Sequence, residues 1–228
     1  MPKEKHAQLR NTFFKYYKDL SDQGYLESER QYKENTSKQA RKLLSPETFH
    51  QYLQNKEYNK IIDLLRKIFD LSNLTSWRDY DFLRHLTPDQ QEELCHITYN
   101  LLFEDNESIE NRIYTVANFL QNQDGVTKSN AWNFTTFLLF TFHPDQHYFV
   151  KPSVWGTICR KLGIEDPRTK ELIGQSYRKI LNIVSDIKSE LHGTDLEPRD
   201  MIDLQSILYL FTEIGTSDNS YKEATMQK

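Results

Sequence analysis

Three stretches of this chain carry residue types and spacings that could do chemistry. In Trp77-Arg78-Asp79-Tyr80-Asp81 two carboxylates alternate with aromatic rings. Aromatic faces can sandwich a planar base, and carboxylates accept from its exocyclic amine. The same residues read equally as a loop whose rings plug the core and whose acids cap the next helix. In Gly125-Val126-Thr127-Lys128-Ser129 a glycine permits a tight turn ahead of a helical pattern. Successive backbone N–H groups and the positive end of the following helix can then grip a phosphate with little help from cationic side chains. An ordinary helix–helix turn capped by Thr127 or Ser129 fits the same letters. The third stretch, His143 to Trp155, holds Asp145 and Lys151. A lysine amine becomes a nucleophile when burial lowers its pKa, and a carboxylate can stabilise a developing positive charge. As alternatives, Asp145 is a turn residue after Pro144, and Lys151 is a solvent or phosphate-contacting lysine. His143 and His147 have no third ligand at metal-binding spacing, so no metal is expected.

The elements that must position these residues read as helices. Apolar residues recur at helical spacing in Leu9, Phe13, Tyr16, Tyr17 and Leu20, and again in Ile61, Ile62, Leu64, Leu65 and Ile68. Ser45-Pro46-Glu47 and Thr87-Pro88-Asp89-Gln90 are helix starts with proline in the first turn. Ile109, Ile113, Val116, Ala117 and Leu120 mark a further helix. The run Ala131 to Phe142 is almost wholly apolar and too long for a typical strand, so it predicts a buried helix. Helices are also expected over 154–162, 169–191 and 198–213. The stretch Tyr25 to Leu44 is polar and weakly periodic, which predicts either a long exposed helix or a mobile arm. With no convincing period-two runs, the expected class is all-α. The expected organisation is an N-terminal helical lobe over 1–121, a second lobe over 122–215 and a polar tail over 216–228.

Composition narrows the functional classes. Gly and Pro number only 7 each among 228 residues, which fits a helical protein. A net charge of −4 argues against a general polyanion binder. The charge is uneven, however: between Gly125 and Lys188 nine Lys or Arg face five Asp or Glu. Such a modest basic region suits a specific DNA contact better than a nucleic-acid coat, and it also fits chance. The 13 Tyr and 13 Phe supply either an aromatic core or a stacking surface. Cys95 and Cys159 sit in apolar helical patterns and are expected as buried free thiols, hence a cytoplasmic location. No apolar run reaches membrane-spanning length, and no cofactor is called for.

The order of the motifs adds a resemblance. Val150-Lys151-Pro152-Ser153-Val154, running into a helix that ends Arg160-Lys161-Leu162-Gly163, resembles the V-D-T-H-V segment and R-x-L-G helix of helix-hairpin-helix DNA glycosylases. Gly125 to Ala131 resembles their G-V-G-R-K-T-A hairpin, and Asp203 to Phe211 is similar to their last core helix. The chain is also similar to helical domains encoded beside bacterial restriction and defence proteins, through Asn111-Arg112-Ile113, the Gly125 turn and His143-Pro144-Asp145-Gln146-His147-Tyr148. The resemblance covers about Glu104 to Glu213. It implies a two-lobed glycosylase-like helical fold and cleavage of the N-glycosidic bond of a modified base in DNA, double-stranded with the base extruded. It further implies DNA contacts by Gly125, Val126, Thr127, Lys128 and Ser129, and a base pocket from Trp77, Asp79, Tyr80, Asp81, Tyr148 and Trp155. Lys151 stands where the family has its catalytic Asp, and Ser129 stands where some members have a hairpin Lys. Lys151 and Asp145 are therefore the candidate catalytic groups. A catalytically inactive DNA-binding or partner-binding module is the alternative.

Overall fold

A computed structural model describes residues 3–169 and 173–213; the expected polar tail, 216–228, lies outside them. The described chain is all-α, with no strand among the described residues. In chain order the helices are α1 (Lys3–Phe13), α2 (Gln23–Tyr25), α3 (Gln31–Leu43), α4 (Pro46–Gln54), α5 (Tyr58–Asp70), α6 (Pro88–Phe103), α7 (Ile109–Gln121), α8 (Lys128–Phe142), α9 (Pro152–Leu162), α10 (Ile173–Leu191) and α11 (Met201–Thr212). A π-helical turn, Leu26–Arg30, joins α2 to α3, and short 3-10 turns cover Trp77–Asp79, Asp81–Arg84 and Pro167–Thr169.

The helix starts follow the capping residues. Ser45, Thr87, Ser108 and Thr127 each accept from the backbone N–H three residues on, and Thr87 and Thr127 complete reciprocal boxes with Gln90 and Asn130. α8 is apolar on every side and runs through the middle, with every residue from Ala131 to Phe142 buried. α11 is buried almost as completely. One cluster of buried side chains extends from Leu9 to Phe211, on both sides of the 121/122 boundary. Phe69 of α5 stacks on Phe134 of α8 and on Tyr80, each at 5.0 Å between ring centroids. α10 lies directly on α7, and Gly174 makes this possible: a Cβ there would run into the Glu110 carbonyl. Both cysteines are buried and unpaired. No helix among the described residues is long and apolar enough to cross a membrane.

The structure corrects the reading of Tyr25 to Leu44. This stretch is neither an exposed helix nor an arm. Glu29, Arg30, Lys33, Thr36, Ser37, Ala40 and Leu44 are all buried, and α3 packs on α8. The buried face is largely polar; Tyr25, Arg30 and Lys33 find partners in the C-terminal part of the chain, Thr36 donates to the Leu71 carbonyl, and Ser37 Oγ has no partner among the described residues. Tyr25 donates to Asp203 at 2.6 Å, Arg30 donates to Asp203 at 2.6 Å and to Asp200 at 2.7 Å, and Lys33 donates to Ser206 at 2.7 Å. A charged group enters an interior only with such partners. Burial alone would raise the Asp203 carboxyl, but hydrogen bonds from Arg199 and Tyr25 hold it below the usual carboxylate range.

Candidate functional site

The α7–α8 connection is a tight turn. Gly125 adopts φ +74°, in the left-handed region, with open space around its Cα. Thr127 caps α8, and its own N–H is taken by Asn130 Oδ1 at 2.9 Å, while Val126 N–H reaches the Gln123 carbonyl at 3.2 Å. Of the amides expected to face a ligand, those of Lys128 and Ser129 therefore remain as the first-turn donors of α8. The Lys128 side chain turns the other way, its Nζ lying 3.4 Å from the Arg168 carbonyl.

Lys151 is the N-cap residue of α9, and Pro152 begins that helix. The starts of α8 and α9 meet at one surface groove of about 670 Å³, which is lined by Gly125, Val126, Thr127, Ser129, Asn130, Lys151, Pro152 and Ser153. Trp77, Arg78, Asp79, Asp81 and His85 form its opposite side. Two helix N-termini border the groove and bring a positive backbone field, set against the carboxylates of Asp79, Asp81 and Asp124 in its lining. Trp77 stands 58% exposed on the rim, with the Arg78 guanidinium over its ring at 5.0 Å. Asp79 is buried and fixes this side of the groove. It accepts from Ser76 N at 2.7 Å as part of a capping box and from Asn133 Nδ2 at 2.7 Å. Asp81 is half-buried, with Arg84 and His85 as its ionic neighbours.

Lys151 also lines a second, more enclosed cavity of about 170 Å³ on its other side. Tyr148 and Trp155 form part of that wall, their rings 5.8 Å apart and tilted by 64°. Opposite them stand Glu29, Tyr32 and Lys33, from the π-helical turn and α3, together with Gln205 and Tyr209 of α11. Lys33 Nζ lies 3.2 Å from Glu29 Oε2, with both side chains 3% exposed or less. Burial holds the Lys33 ammonium below its usual pKa, against the opposing pull of Glu29. Burial also pushes the Tyr32 hydroxyl up, helped by the Glu29 charge. The Trp155 Nε1 donor and the Gln205 Oε1 acceptor are buried without hydrogen-bond partners. Lys151 Nζ itself donates to the Leu74 carbonyl at 3.3 Å.

The sequence-based candidates therefore fall into separate groups. Lys151, Gly125, Val126, Thr127, Ser129, Trp77, Asp79 and Asp81 surround the groove, while Lys151, Tyr148 and Trp155 surround the cavity. Asp145 is exposed in the turn after α8 and lines neither space. The Tyr80 ring packs on Phe69, and its hydroxyl donates outward to exposed Asp70. His143 bonds the Leu102 carbonyl at 2.7 Å. His147 packs on Tyr177, and burial, reinforced by the charge of His143, lowers its pKa to about 4. Glu29, Lys33 and Gln205 were not among the sequence candidates. Their signal was nevertheless present: Glu29, Lys33, Thr36, Ser37, Ala40 and Leu44 keep helical spacing, and Gln205 lies with Asp203 and Ser206 in a mostly apolar helix.

Comparisons of the chain with protein-family models, curated proteins and solved structures find no match.

Proposed function

We propose that this protein is a DNA glycosylase that excises a modified base. The observation that carries this reading is the position of Lys151 in the wall between the two spaces, with the groove of two helix N-termini on one side and a cavity of single-ring size on the other. The groove suits backbone phosphates, which the amides of Lys128 and Ser129 contact. An extruded base enters the cavity past Trp77 and the Lys151 doorway, and its sugar then lies beside Lys151. The Lys151 amine adds to the sugar C1′ as the glycosidic bond breaks; it then loses a proton to solvent, and the C1′–O4′ bond opens, with O4′ taking up a proton, to give the imine that borohydride reduces. The bond's electron pair leaves on the base nitrogen, which takes up a proton from solvent. The similarity to domains encoded beside restriction and defence proteins suggests a modified base of invading phage DNA as the target.

The hydrogen bond from Lys151 Nζ to the Leu74 carbonyl favours a second reading, in which Lys151 is a fixed cation in a catalytically inactive DNA-binding or partner-binding module. One experiment separates the two. Duplexes each carrying one modified base are incubated with the protein, then treated with alkali to cleave abasic sites. In the glycosylase reading at least one duplex is cut, borohydride traps a protein–DNA adduct, and Lys151→Ala abolishes the adduct. Binding without base release from any duplex supports the inactive module instead.

A further inference from the structure

The enclosed cavity beside Lys151 is small, and one of its walls is rigid. Its volume of about 170 Å³ is close to the roughly 150 Å³ that takes one benzene ring. Trp155 is 0% exposed and Tyr148 is 2% exposed, so packing on their far sides holds both rings in place. Tyr148 is also pinned through its backbone, whose N–H and carbonyl both bond the Tyr177 hydroxyl, at 3.2 and 3.1 Å. A second fused ring would have to displace these groups, and a close-packed interior resists such overpacking.

The rest of the lining brings donors that the chain itself does not use. Tyr32 and Tyr209 are half-buried there, and neither hydroxyl has a hydrogen-bond partner among the described residues. Burial and the Glu29 charge raise both hydroxyls above their ordinary pKa, so both stay protonated and can donate. Lys151 gives one N–H to the Leu74 carbonyl and keeps two. Glu29 is already engaged by Lys33. The available partners therefore suit a ligand that brings acceptors.

We infer that this cavity binds one pyrimidine-type heterocycle, a single six-membered ring with a ring carbonyl, and excludes purines. Every pyrimidine nucleobase carries a C2 carbonyl that can accept from such donors. Purines are excluded by their second ring and not by their hydrogen-bonding edge. The inference rests on the base-excision reading for why a base comes here, and it names the class of base released. It concerns the free heterocycle, however, and is tested without DNA.

1-Methyluracil, 1-methylcytosine and 9-methylhypoxanthine are each titrated into the full chain and followed by ligand-observed NMR. The methyl group stands where the sugar would attach. Hypoxanthine also carries a ring carbonyl, so it differs from the two pyrimidines chiefly in its second ring. Both pyrimidines are expected to bind at least about tenfold more tightly than 9-methylhypoxanthine. Tyr32→Phe and Tyr209→Phe each remove a hydroxyl and keep the ring. Combined, they should weaken both pyrimidines about tenfold, with a circular dichroism melt to establish that the double variant is folded. The comparison of ring sizes is made on the unaltered protein and stands without the variant. Three results overturn the inference: no binding of either pyrimidine, equal or tighter binding of 9-methylhypoxanthine, or pyrimidine binding that the folded double variant leaves unchanged. The excision reading fails separately. Pyrimidine binding with no base released from any duplex leaves the cavity as a heterocycle site, while release of purines alone keeps the excision and removes this assignment.

Discussion

The open groove and the enclosed cavity share Lys151 as a wall, yet they are built in opposite ways. The groove is made by backbone: two helix starts, a turn with φ +74° at Gly125, and caps at Ser76 and Thr127, from short continuous stretches of chain. The cavity is made by side chains from four distant places: the π-helical turn and α3, the loop at Asn73 and Leu74, the start of α9, and α11. A backbone-built site needs only local geometry. A site built from distant side chains needs the tertiary fold first, and here that fold is held by buried charges around Asp203.

The sharpest way to break this comparison is to remove that anchor. Asp203 is fully buried between Tyr25, Arg30 and Arg199. Asp203→Ala removes at once the buried acceptor shared by Tyr25, Arg30 and Arg199, Arg30 keeping Asp200 and Glu34, and should cost about 3–5 kcal/mol, read as a fall in the urea unfolding midpoint. The groove side should be more tolerant. Asp79→Ala leaves Asn133 and the Ser76 N–H without their acceptor and should cost about 1–3 kcal/mol. Equal losses in the two variants would mean that both spaces depend on the same side-chain frame.

The loop that carries Lys151 gives a test by pH. Burial keeps His147 neutral in the folded protein, with a pKa lowered to about 4 from an ordinary value near 6.5. Between those values the unfolded chain binds a proton that the folded one does not, so stability falls as pH drops from about 6.5 towards 4. The loss should be on the order of 1–3 kcal/mol. It is measured as the urea midpoint at pH 7 and pH 4.5, and His147→Gln should flatten that window. The smallest effect belongs to the helix cap. Thr127→Val removes the acceptor for Asn130 N–H and should cost about 1 kcal/mol. If the α8 start holds phosphate, the same variant also weakens DNA binding, most visibly at low salt.

Much of the fold was legible in the sequence because its signals are local. The Ser45, Thr87 and Thr127 starts, the apolar face of α5 and the almost wholly apolar run of α8 were all readable from spacing and capping chemistry alone. The Gly125 turn was legible for the same reason, since it is a continuous motif, but that Trp77, Asp79 and Asp81 line one groove with it was not. What resisted was α3. Hydrophobic periodicity is blind to a helix that buries Glu29, Lys33, Thr36 and Ser37, because the stripe it seeks is apolar. The partners that make this burial tolerable, Asp200, Asp203 and Ser206, lie at the far end of the chain. Asp145 shows the opposite difficulty. It shares a sequence stretch with Lys151, but the turn after α8 leaves it in solvent and away from both spaces.

Cys95 and Cys159 are closed off inside the fold, and burial pushes both thiols up to about 12, far from the thiolate that alkylating reagents require. The native protein therefore brings its own silent background for site-directed labelling. A reporter cysteine placed at exposed Trp77 should take up a maleimide dye alone while the chain stays folded. Its emission would then report arrivals at the groove rim without any prior removal of the natural cysteines.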